Sequence, residues 1–158
     1  MKSAILVLAT ASAAMLATSA LAQVSVKEPW IRATVPQQKA TGAFMQLSTV
    51  QATRLVEASS PVAGAVEIHE MKMENNIMKM RQVNGVDVPA GKSIDLKPGG
   101  YHVMLLDLKE QMKEGASVPV TLVFEGRDKK RETVEIKATV RPLAGAAAPA
   151  DPHAGHKH

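Results

Sequence analysis

The sequence predicts an all-β fold, a sandwich or barrel of short strands, on three observations. Apolar and polar residues alternate with a period of two in two long runs, Val120–Glu125 and Val134–Val140. Turn residues recur at strand-length intervals, at Asn84-Gly85, Pro98-Gly99-Gly100 and Gly126-Arg127-Asp128. Helical periodicity is nowhere sustained, and one turn around Lys109–Glu114 is the only helical candidate.

Taken in order, the N-terminus carries one charge at Lys2, apolar runs at Ala4–Leu8 and Ala13–Leu16, and Ala20-Leu21-Ala22 before Gln23. A short apolar stretch closed by an Ala-x-Ala site is a secretory signal peptide, so 1–22 is excluded from fold reasoning. The run is too short for the roughly 20 residues a spanning helix needs. Strands are expected near 25–33, 41–50, 54–59, 64–74, 77–83, 92–97, 101–108, 117–125 and 132–140. A single β domain then covers 23–142. From Leu143 the chain turns to Ala, Gly and Pro, and it ends His153-Ala154-Gly155-His156-Lys157-His158. Residues 143–158 read as a linker followed by a His-rich metal-binding tail.

Composition removes several classes of function. The chain has 158 residues and a formal net charge of +4, with its basic residues scattered apart from Lys129-Lys130-Arg131. With one Trp, one Tyr and two Phe, it lacks the stacking platforms of a single-strand nucleic-acid binder. It has no cysteine. Disulfides and thiol–disulfide exchange are therefore excluded. No carboxylate pair, phosphate loop or nucleophile elbow points to catalysis.

Histidine and methionine carry the chemistry. His69, Met71, Met73, Met78, Met80, His102 and Met104 fall within one stretch. Imidazole with thioether, and no thiolate, is a soft donor set suited to Cu(I). Glu74-Asn75-Asn76-Ile77 predicts a two-residue hairpin, because Asn tolerates the positive φ of a type I′ turn. That register pairs residue 74 with 77, Met73 with Met78, Lys72 with Lys79 and Met71 with Met80. His69, Met71 and Met73 then share a face with Met78 and Met80, and His69 lies diagonal to Met80. His102 and Met104, two apart on a later strand, share a face as well. Met is also a flexible core filler, so no single one of these methionines argues for a metal.

At these residues the chain resembles the periplasmic copper chaperone family PCu(A)C. The family motif is His, ten residues, Met, twenty-one residues, then His-x-Met. His69, Met80 and His102-Val103-Met104 match it without a gap. Val66–Met71, Met78–Arg81 and Lys97–His102 are similar in sequence too, and the likeness spans roughly 24–140. The resemblance implies a cupredoxin-like Greek-key β-sandwich. It implies a core Cu(I) site formed by His69, Met80, His102 and Met104, with Met71 as an auxiliary candidate. It also implies delivery of copper, alongside a Sco-type protein, to the copper-bearing subunit of cytochrome c oxidase. Some members place Met directly after the first His, where this chain has Glu70. In members that have a His tail, the tail resembles a second, Cu(II)-preferring site, here His153, His156 and His158.

The expectation is thus a periplasmic copper chaperone and not an enzyme. The alternative is a copper-sequestering or resistance protein without a dedicated acceptor. A structural sandwich with Met in its core is a third reading. A blue-copper enzyme would want a Cys ligand.

Overall fold

The computed structural model describes residues 23–142. The signal peptide read at 1–22 and the linker and tail read at 143–158 lie outside the described residues. There are ten strands and, among the described residues, no helix. They are β1 (Val24–Arg32), β2 (Ala40–Thr49), β3 (Thr53–Ser59), β4 (Ala63–Glu74), β5 (Ile77–Gln82), β6 (Val86–Val88), β7 (Ser93–Leu96), β8 (Tyr101–Leu108), β9 (Ser117–Gly126) and β10 (Arg131–Arg141). Nine follow the alternation in the sequence. The tenth, β6, is too short for a period to be read.

The strands hydrogen-bond in the order β5-β4-β8-β2-β1-β10-β9-β3-β6, and β7 pairs β2. This path folds over on itself. Ile68 of β4 and Val103 and Leu105 of β8 share one core with Leu55 of β3, Val88 of β6 and Leu122 and Phe124 of β9. The fold is all-β, as the alternation predicts, and cupredoxin-like, as the family resemblance implies. The hinge of the path is β1, which runs antiparallel to β2 and parallel to β10. Its register slips between Lys27 and Trp30, where Glu28 takes φ 47° before Pro29. Such a bulge bends a strand and re-aims the side chains beyond it. Ile31 then faces the core, and Trp30 faces outward opposite Phe44.

The helical turn expected at Lys109–Glu114 does not form. The segment bonds sideways to Thr34. The Met112 N–H donates to the Thr34 hydroxyl, the Thr34 N–H donates to the Met112 carbonyl (both 2.9 Å), and the Gln111 amide donates to the Thr34 carbonyl (3.0 Å). These bonds replace a helical ladder and bury Met112 at the rim of the core.

The β4–β5 hairpin has the predicted register, from Glu74↔Ile77 through Met71↔Met80. Asn75 and Asn76 sit at φ 51° and 61°, the left-handed pair of a type I′ turn. A β-branched residue there is strained by about 1–2 kcal/mol. Because the tip projects beyond the core, the strain should open the hairpin locally and leave the rest of the fold intact. Asn76→Val is expected to speed amide exchange between Lys72 and Lys79 about tenfold. Asn76→Gly should not.

Candidate metal centre

Both faces of β4 and β8 are used, for different purposes. Ile68, Val103 and Leu105 point into the core. Glu67, His69 and Met71 of β4, and His102 and Met104 of β8, alternate with them and point to the outer face. Directly opposite across the β4–β8 ladder are His69↔His102 and Glu67↔Met104. On one side of this block, β5 adds Met80 opposite Met71 and Met78 opposite Met73. On the other side, β2 places Gly42 opposite Met104. The ring of Phe44 lies over Gly42, where a Cβ would meet it at 2.6 Å. His69 and His102 have ring centroids 5.8 Å apart, and His102 is 6.1 Å from Phe44, which stacks on Trp30 at 4.5 Å.

One face therefore carries, in spatial order, Met80, Met71, His69, His102 and Met104, backed by Phe44 and Trp30. Exposure is graded across it. His102 is 6% exposed, whereas Met73, Met78 and Met80 are 58, 42 and 50% exposed. The imidazole pair is sheltered, and the thioethers on β5 reach solvent.

The loop before β8 sets the state of His102. Pro98-Gly99 forms a tight turn closed by the Gly100 N–H donating to the Lys97 carbonyl at 3.0 Å, with Gly99 at φ 84° as the second turn residue. The turn aims the Gly100 carbonyl back at β4 and β8, where it accepts from the Met71 N–H at 3.0 Å and from His102 Nδ1 at 3.1 Å. A carbonyl only accepts, so Nδ1 carries the proton and Nε2 keeps its lone pair. Burial, aided by His69 and Arg32, holds His102 below its ordinary pKa, against the Gly100 bond that favours the proton. The ring is thus poised neutral, as a metal ligand must be.

That shift has a consequence for stability. The unfolded chain takes up the His102 proton near 6.5 and the folded chain only at lower pH. Stability of the apo protein should therefore fall as pH drops through about 6.5, and His102→Asn should flatten that slope. Urea unfolding at several pH values measures it.

Glu70 points to the opposite face and accepts from Arg81 Nε and Nη2 at 3.0 and 2.8 Å. This ion pair clamps β4 to β5 and holds the Glu70 carboxyl below its ordinary range, with a hydrogen bond from Tyr101 acting in the same direction. Where this chain has Glu after the first His, the residue braces the hairpin and Met71 takes the outer face. Among the described residues no three His, Asp, Glu or Cys side chains converge as a metal group. The tail residues His153, His156 and His158 lie outside the described residues.

A family model described as "Putative lipoprotein LpqE-like" matches residues 24–140. The chain belongs to this LpqE-like family. A similar protein is the "Putative lipoprotein Lxx21020" of Leifsonia xyli subsp. xyli (strain CTCB07), 29% identical over 115 residues, 72% of this chain and 69% of that one. Among solved structures, the apo PCuAC domain of PmoF1 is 27% identical with a TM-score of 0.62, covering 76% of this chain and 94% of the domain. The Cu(I) form of DR1885 from Deinococcus radiodurans is 32% identical with a TM-score of 0.56, covering 78% and 83%. The PCu(A)C resemblance carried by the His/Met motif is thereby upheld for this LpqE-like protein.

Two features of the site escape sequence reasoning. One is the direct facing of His69 and His102, which depends on β4 pairing with β8 across a long connection. The other is the aromatic backing by Phe44 and Trp30, for which Gly42 two residues before Phe44 is the only local sign.

Proposed function

We propose that this LpqE-like protein is an envelope copper chaperone that holds Cu(I) on the outer face of β4, β5 and β8. His69, Met80, His102 and Met104 are the ligands, and Met71 is an auxiliary donor. The observation that carries the reading is the pair of facing imidazoles, one sheltered and poised neutral, flanked by thioethers on both sides. Neutral nitrogen and sulfur donors favour a soft monovalent ion over Mg, Ca or Mn. Thioethers have no proton to lose, so the site tolerates acidity better than a thiolate site. The solution structure of Cu(I)-DR1885, a similar protein, is consistent with this cargo.

The graded exposure suits a carrier. An incoming partner can replace the exposed Met80 first and the sheltered His102 last, so copper passes by ligand exchange without being released free. Met73 and Met78 form a soft apron on which that partner's own sulfur or imidazole donors can land. The chemistry is ligand exchange, and the protein is read as a carrier and not an enzyme. We assign the acceptor as the copper-bearing subunit of cytochrome c oxidase, working with a Sco-type protein. Export through the signal peptide at 1–22 places the carrier in the periplasm. His153, His156 and His158 capture Cu(II), the linker raises its concentration near the core site, and a one-electron reductant from outside this chain converts it to the Cu(I) that the core site takes up.

The test is a Cu(I) competition titration under anaerobic, reducing conditions, followed by mixing with an apo copper-subunit fragment. One tight equivalent that moves to the fragment supports the chaperone. Tight binding without transfer supports sequestration instead. If removal of the tail leaves Cu(II) uptake unchanged, the tail has no part in capture.

A further inference from the structure

Glu67 stands two residues before His69 on β4, on the same outer face and directly opposite Met104. Its Oε2 lies 2.6 Å from His69 Nε2. A carboxylate only accepts, so the proton of His69 sits on Nε2 and points at Glu67. The lone pair is left on Nδ1. That nitrogen is buried and has no hydrogen-bond partner among the described residues. A buried acceptor without a partner is uncommon in a folded protein and calls for a reason. His102 has the reverse arrangement, with Nδ1 tied to the Gly100 carbonyl and Nε2 left over. The two facing rings are therefore anchored through opposite nitrogens.

We propose that Glu67 is a positioning residue that holds His69 in the Nε2–H form, so that His69 meets copper through Nδ1 while His102 meets it through Nε2. The inference rests on the copper reading of this face. Metal-bound histidines commonly donate their other N–H to a carboxylate or a carbonyl, which fixes ring orientation and raises basicity. Here one ring has each kind of anchor. Glu67 acts through His69, because its Oε2 is engaged by the His69 Nε2–H at 2.6 Å. The rival account is a latch, in which Glu67 caps the nitrogen that copper needs and must swing away first.

The experiment uses the full mature chain with ¹⁵N-labelled histidine, as wild type, Glu67→Gln and Glu67→Ala. In the apo wild type, the ¹⁵N shifts of His69 should report Nε2–H with unprotonated Nδ1. On loading one equivalent of Cu(I), the His69 Nδ1 resonance and the His102 Nε2 resonance should move. Glu67→Ala should lose the single tautomer and weaken Cu(I) binding about 10–100-fold. Glu67→Gln, whose amide oxygen still accepts from Nε2–H, should restore both to near wild type. A merely structural role would not shift the tautomer or discriminate between Gln and Ala. An Nδ1–H form in the apo protein, a copper-induced shift at His69 Nε2, or equal or tighter binding by Glu67→Ala would overturn the proposal. No Cu(I) binding by wild type would overturn the functional reading and with it the copper role of Glu67. The apo tautomer would still show separately whether Glu67 positions the ring.

Discussion

Replacing Met80 and His102 by alanine together is expected to abolish tight Cu(I) binding, a loss of well over 100-fold. Removing partners that only orient ligands typically costs 10–100-fold in metal affinity, and here two of the proposed donors themselves are lost. The two sites should also behave differently when changed singly. Met80 is half exposed at the edge strand, and Met80→Ala removes a proposed donor without opening a cavity. It should weaken copper binding, leave stability within about 0.5 kcal/mol, and slow or redirect transfer. His102 is buried between His69 and Phe44. His102→Ala should therefore weaken copper binding more and also lower stability, by about 1–3 kcal/mol. A competition titration paired with urea unfolding separates the two. Equal affinity in wild type and double variant would mean that the outer face is only a methionine-rich surface.

Phe124→Ala is expected to cost about 3–5 kcal/mol, a large share of the stability of one domain. Phe124 is fully buried, between Leu55 of β3 and Glu132 of β10 in the ladder, and it anchors the far half of the core. No disulfide supports the fold, so the core alone must carry that loss. The site lies on the outer face of β4 and β8, away from β9. Below the unfolding midpoint, the variant should keep wild-type Cu(I) affinity. A drop in affinity equal to the drop in stability would show that the site and the far half of the core are coupled.

How much of this was legible in the sequence depended on whether the information was local. The β4–β5 hairpin was readable to the residue, because Asn75-Asn76 fixes the turn and the alternation of Met and charged residues fixes the face. The strands β9 and β10 were readable from uninterrupted alternation, and Val118, Val120, Leu122 and Phe124 all face the core. Non-local pairing was not readable. Nothing local says that His69 meets His102, since β5, β6 and β7 lie between them in the chain. The expected helical turn at Lys109–Glu114 failed because Thr34, far away in sequence, supplies its hydrogen bonds. Glu67 gave no signal, because an acidic residue on a strand face is ordinary until its partner is known.

Copper K-edge X-ray absorption tests the central claim most directly, applied to the chain carrying His153, His156 and His158 replaced by alanine and loaded with one equivalent of Cu(I). A coordination shell holding both nitrogen and sulfur is expected, from two imidazoles and thioether donors on one face. A shell of nitrogen and oxygen alone would contradict the account and leave the methionines of β4, β5 and β8 without a role in binding.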